Sequence, residues 1–264
     1  MRALLKSLSS LCLTILILSG FLMIPSSGGS AWAQSFAVVV PAELADVEGG
    51  GGQAFPINCG FFGPSMRYQQ VYAGSALLAG TIVQINFRLL SGFPPMGPGT
   101  LEDVTITLST TQAEPGALSG TFADNVGPDA TTVFLGDLPV SALGCVVGPC
   151  PFDVEIPFEA TFPFDPEEGN LLVDFTIPSC VDFGRTFLDA TNDFPNITSR
   201  AGNDSSSASS TANFIDNTAV ITEFNFIREE NIPTLSEWGM ISAAAGLVLV
   251  GVWFAVRRKR MQDA

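Results

Sequence analysis

The sequence predicts an all-β protein: an antiparallel, jelly-roll-like β-sandwich followed by one C-terminal transmembrane helix. Three observations carry the prediction. From Phe36 onward apolar residues recur at every second position, and nowhere before residue 230 do they hold a helical period for long. Gly- and Pro-rich turns punctuate those runs, and one long apolar stretch stands near the C-terminus. The chain has 21 Phe against two Tyr, which suits an interior between two sheets, where a ring needs no hydrogen-bond partner.

Residues 1–33 have the three parts of a secretory signal. Arg2 and Lys6 supply positive charge, Leu8 to Met23 an apolar run, and Ala31-Trp32-Ala33 the small residues a signal peptidase inspects. Cleavage is expected before Gln34.

Strands are then expected at Phe36 to Val40, Thr81 to Leu90, Val104 to Leu108, Asp153 to Phe158, Leu171 to Ile177 and Thr218 to Ile227. In the second, Val83, Ile85, Phe87 and Leu89 alternate with Gln84, Asn86 and Arg88, so the apolar set is expected inside. Val220, Phe224 and Phe226 are expected on one face of the last. Turns fall at Gly49 to Gly52, Phe93 to Gly99, Glu114-Pro-Gly116, Gly127-Pro-Asp129 and Asp165 to Gly169. This spacing leaves room for roughly eight to ten strands over residues 34–227. Ala201 to Asn213, rich in Gly, Asn, Asp and Ser, reads as a loop too polar to pack.

Between Ser35 and Glu230 there are five Arg, no Lys and 24 Asp plus Glu, a net charge of −19. That balance argues against nucleic acid or anionic lipid as a partner, because phosphate surfaces are bound by clustered Lys and Arg. With no histidine in the chain, the commonest general base and the usual Ser-His and Cys-His nucleophile pairs are absent. Cys12 leaves with the signal, so Cys59, Cys145, Cys150 and Cys180 remain, an even number in an oxidising compartment. Three pairings are open. Cys145 with Cys150 and Cys59 with Cys180 is favoured, because a Gly-Pro turn lies between the close pair; a four-cysteine zinc site is the alternative.

After Glu230 the composition changes. Residues 228–239 form an expected linker containing Ile232-Pro233-Thr234-Leu235-Ser236-Glu237-Trp238-Gly239, residues 240–256 an apolar span, and residues 257–264 a tail opening with Arg257-Arg258-Lys259-Arg260. The span rises about 27 Å with its flanking glycine if helical, enough for a bilayer core. Trp238 and Trp253 stand near its ends, and the four basic residues mark the cytoplasmic side.

In motif, span and basic cluster, the last 33 or so residues resemble an IPTL-CTERM sorting domain, related in layout to the PEP-CTERM proteins of Gram-negative bacteria. The resemblance implies a substrate of an exosortase-type membrane enzyme that cuts near the motif. It further implies export through the inner membrane, a single-pass intermediate, and a final place at the cell surface or outside. Arg67-Tyr-Gln-Gln-Val-Tyr72, Ile106-Thr-Leu-Ser-Thr-Thr111, Thr121-Phe-Ala-Asp-Asn-Val126 and Pro166-Glu-Glu-Gly-Asn-Leu-Leu-Val-Asp174 make Gln53 to Phe226 similar to the ectodomains of PEP-CTERM-type surface proteins. That likeness implies a secreted β-sandwich and transfers no activity.

Three chemistries compete in the ectodomain with a purely structural reading. Asp153, Glu155 and Glu159 would share one face of a continuous strand, as the carboxylates of a glycan hydrolase would. No cofactor is expected; for calcium, the alternative, Asp165, Glu167, Glu168 and Asn170 offer oxygen ligands. Tyr68 and Tyr72, with Arg67, Gln69 and Gln70, could form a sugar-stacking platform or be strand residues at a sheet edge. The expectation is a non-enzymatic surface or matrix protein, with matrix polysaccharide as a further partner. A carbohydrate- or calcium-binding adhesion module is the alternative.

Overall fold

The computed structural model describes residues 32–230 and 235–262. Residues 1–31 of the expected signal segment 1–33, and Ile232, Pro233 and Thr234 of the expected sorting motif, lie outside the described residues.

Among the described residues there are thirteen strands. The first five are β1 (Trp32–Val40), β2 (Gly51–Gln53), β3 (Met66–Tyr72), β4 (Gly80–Phe87) and β5 (Met96–Thr111). A one-turn helix α1 (Phe122–Asn125) precedes β6 (Thr131–Ala142), β7 (Val154–Phe164) and β8 (Asn170–Ile177). The last five are β9 (Leu188–Thr191), β10 (Thr198–Asn203), β11 (Phe214–Asp216), β12 (Ala219–Val220) and β13 (Thr222–Glu230). They form a four-stranded sheet ordered β1-β13-β4-β7, a six-stranded sheet ordered β11-β10-β3-β8-β5-β6 and a small sheet ordered β12-β9-β2.

The fold is the antiparallel sandwich that the alternation predicts, and it occupies Gln34–Arg228. Ile85, Phe87, Phe224 and Phe226 of one large sheet face Tyr72, Ile106, Leu108 and Phe175 of the other, all buried. Rings meet across the interface: Tyr72 lies 4.9 Å from Phe224, edge to face, and Phe87 lies 6.2 Å from Phe175. A second apolar cluster of Val71, Leu118, Phe122, Leu172 and Ala201 sits under α1, on the other face of the six-stranded sheet.

Two disulfides staple the sandwich in the favoured pairing. Cys59–Cys180 closes a separation of 121 residues and Cys145–Cys150 one of 5. On the chain-entropy account these contribute about 5 and about 2 kcal/mol, since the longer loop loses more unfolded-state freedom.

Several local expectations are corrected. A register shift between Ile82 and Gln84 breaks the alternation of β4. Ile82 therefore takes the core position expected of Val83, since a one-residue slip reverses the faces. Arg88, expected to face solvent, is buried. The Gly49 to Gly52 turn gives way to β2 at Gly51. Ala201 to Asn203, expected in a loop, form the end of β10, and Ala201 is buried. The polar excursion that follows is tied down by its own amides: Asn203 Oδ1 accepts the Ser205 and Ser206 N–H groups, and Asn213 Nδ2 donates to Asp204 at 2.7 Å.

The C-terminal unit contains helix α2 (Leu235–Gln262). Its stretch Gly239–Lys259 has a mean hydropathy of 2.1 and none of it is buried, so it is long and apolar enough to span a membrane. The helix starts inside the expected linker and runs on through Arg257 to Arg260, so these basic residues are its last turns rather than a separate tail. No proline follows Leu235 to interrupt the hydrogen-bond ladder.

Candidate functional site

The four ectodomain motifs, scattered over more than a hundred residues of sequence, meet at one place. In the β3–β8 pair Gln69 lies opposite Asp174, and Arg67 is two residues before Gln69 on the same face. Arg67 donates to Asp174 through Nη2 at 2.8 Å and Nε at 3.3 Å. Gln69 Nε2 donates to Asp174 Oδ2 at 2.7 Å and to the Phe122 carbonyl at 3.2 Å. Asn125, at the end of α1, donates to Gln69 Oε1 at 2.9 Å, and Thr111 of β5 donates to the Asn125 carbonyl at 2.6 Å. The Arg67 guanidinium lies 4.7 Å over the Phe122 ring.

This network holds the segment between β5 and β6 onto the outer face of the sheet. The Gly127-Pro-Asp129 turn is pinned beside it: Gly127 N–H donates to Ser109 Oγ and Asp129 Oδ1 accepts the Thr110 N–H at 2.7 Å. Gly127 approaches so closely that a Cβ there would meet the Thr110 carbonyl oxygen at 1.7 Å. An open hollow of about 340 Å³ lies alongside, lined by Gln112, Ser119, Asp124 and Asn125 among others. The carboxylate of Asp174 and the amides of Gln69 and Asn125 are engaged with one another and with backbone. The arrangement therefore positions chain.

The tyrosines do not form a surface platform. Tyr68 and Tyr72 point between the sheets, 1% and 2% exposed, because their positions in β3 alternate with the outward Arg67 and Gln69. β3 is moreover an inner strand of its sheet, between β10 and β8. Tyr68 donates to Gln70 Oε1, which also accepts the Val220 N–H; Tyr72 and Thr222 share a hydrogen bond of 2.7 Å. Burial pushes both phenols well above their ordinary range.

The three carboxylates do not share a continuous strand. Asp153 precedes β7 and accepts the Leu143 and Gly144 N–H groups on Oδ2. Glu155 pairs with Asn86 on β4, but the register then jumps from Pro157 opposite Gln84 to Phe162 opposite Ile82. Glu159 falls in that bulge, out of step with Glu155. A shallow groove of about 490 Å³ runs beside Asp153 and Glu155, with Thr100, Pro139 and Ser141 on its other wall.

Two of the calcium candidates bond locally. Asp165 Oδ1 accepts the Glu167 N–H, and Asn170 Oδ1 accepts the Gly74 N–H while its amide donates to Ala113 and Glu114. Among the described residues no three or more Asp, Glu, Cys or His side chains gather as a metal site. Of the residues expected to form a sorting motif, Leu235 opens α2 and Trp238 and Gly239 lie in its first turns; Arg257, Arg258 and Lys259 are exposed at its end.

The feature that sequence reading missed is the Arg88–Asp189 pair. Both side chains are buried, 1% and 0% exposed, with Nη2 and Oδ2 2.8 Å apart. Arg88 also donates to the Leu44, Ala45 and Val47 carbonyls, and Asp189 accepts the Gly49 N–H. Burial raises the Asp189 carboxyl above its ordinary value, against the pull of the Gly49 amide and of Arg88. The signal present in the sequence was a single charge near the end of the otherwise uncharged run Thr81 to Leu90. A third pair, Arg200 with Asp216, bridges β10 and β11 at 2.7 Å.

Compared with known proteins, the chain matches no family model, no curated protein and no solved structure.

Proposed function

We propose that this is an exported, non-catalytic surface or matrix protein of a Gram-negative bacterium, delivered as a single-pass intermediate and processed near Ile232 to Leu235 by an exosortase-type enzyme. The reading rests on one observation above all: a disulfide-stapled acidic sandwich is followed within a few residues by an unburied apolar helix ending in Arg257, Arg258 and Lys259. Basic residues at that end stop translocation and leave the sandwich on the far side of the membrane. An oxidising compartment is where two disulfides persist. The closed network around Asp174 supports a scaffold rather than a catalyst.

Intact-mass analysis of the full chain, produced in a Gram-negative host with and without a matching exosortase, tests this. With the enzyme the product should begin at Gln34 and lack Arg257 to Arg260. An uncut C-terminus in that host would sink the sorting reading.

A further inference from the structure

The two large sheets have four edges; those of β6 and β7 lie beside one another, and three of the four are guarded. β7 carries the exposed Glu155 and Glu159, Pro157 and Pro163, and a bulge. β6 carries Asp137 and Pro139, and its pairing with β5 shifts register three times. β11 is only three residues long, and its Asp216 is tied to Arg200. Charge, proline, bulges and brevity are the devices that keep sheet edges from pairing with other chains.

β1 has none of them. After the expected cleavage before Gln34 the strand is Gln34-Ser-Phe-Ala-Val-Val-Val40, seven residues with no charged side chain and no proline. Among the described residues its one strand neighbour is β13, and no loop backbone bonds to residues 34–40. Gln34, Ser35 and Ala37 are exposed. Phe36 and Val38 reach the core yet stay only partly buried, as residues do where a sheet stops one strand short.

We propose that the free edge of β1 is a self-association surface, pairing antiparallel with β1 of a second copy about a two-fold axis near Ala37. An uncharged strand suits an uncharged partner strand, and β1 itself is one; a basic peptide would favour the acidic edges β6 and β7 instead. The pairing is isologous, so it closes at two copies and joins the two four-stranded sheets into one. With 24 acidic residues against five Arg over residues 35–230 of each copy, association is opposed by repulsion that salt relieves. The Debye length falls from about 30 Å at 0.01 M to about 3 Å at 1 M salt.

Cysteine cross-linking of the full chain in membranes tests this. In a Cys12→Ser background, Ala37→Cys should give a species of doubled mass on non-reducing electrophoresis, more of it at 1 M than at 0.01 M salt. Glu159→Cys on β7 should stay monomeric. Ala37→Ser should leave the thermal midpoint unchanged, showing that the edge position tolerates substitution. A monomeric Ala37→Cys chain, equal linking through Glu159→Cys, or linking of Ala37→Cys to a different polypeptide would each overturn the proposal.

Discussion

Arg88–Asp189 and Arg67–Asp174 are both arginine–aspartate pairs joining distant parts of the chain, yet they lie in opposite settings. The first is sealed just after β4, with every hydrogen bond of the guanidinium made to a carboxylate or a backbone carbonyl and the Phe152 ring 5.0 Å away. The second lies on the outer face of the six-stranded sheet, where Arg67 keeps a quarter of its side chain in solvent and shares Asp174 with Gln69. Depth decides how much each pair can matter. A buried charge that loses its partner has no water to turn to, whereas an exposed one is rehydrated.

That contrast can be broken at its deep end first. Arg88→Ala should lower unfolding free energy by about 3–5 kcal/mol in urea titration, because it strands the Asp189 carboxylate and three carbonyls. Arg88→Met with Asp189→Leu should cost much less than the single change, since no buried charge is left. Gln69→Ala tests the outer network: it removes the link between Asp174 and α1, and should cost about 1–3 kcal/mol while leaving the main core intact. Proteolysis should then cut preferentially between Thr111 and Thr131, which Arg88→Ala alone would not cause.

The smallest effect is a matter of pH. Desolvation pushes the Asp216 carboxyl up, but the Arg200 hydrogen bonds and charge, with help from Thr218, outweigh it and hold the group below its ordinary value of 3.8. A lowered folded-state pKa stabilises above the unfolded value, and the contribution fades as pH falls through the lowered one. Asp216→Asn should therefore reduce the thermal midpoint at pH 6, with the gap to the parent closing as pH drops below about 4. Asp189 has the opposite sign. Its raised pKa gives a contribution that is complete below 3.8 and lost as pH rises through the folded value.

How far the sequence could be read follows from the range of each interaction. Alternation in β5, β8 and β13 was legible because side-chain direction along a strand is a local matter. Val104, Ile106 and Leu108 are buried as the pattern requires, and so are Phe224 and Phe226; Val220 is buried too, but in β12 of the small sheet, so the expected strand Thr218 to Ile227 is two strands in different sheets. Alternation failed at Val83, where the cause is a bulge against β7, a strand some seventy residues further on. The short strands β9, β10 and β11 were invisible for a related reason: Leu-Asp-Ala-Thr and Thr-Ser-Arg-Ala-Gly-Asn carry no periodicity of their own and become strands by pairing.

The sequence by itself determined that this chain is a β-sandwich bearing an apolar helix with a basic end, because period, turn chemistry and hydropathy act over a few residues at a time. It also favoured the cysteine pairing through a turn five residues long. Only the tertiary structure decided that Tyr68 and Tyr72 face the core, that Arg88 meets Asp189, that four distant motifs close around Asp174, and that one sheet edge is left unguarded. Each of these depends on which strand lies beside which, a long-range choice made by packing two sheets face to face rather than by any segment alone.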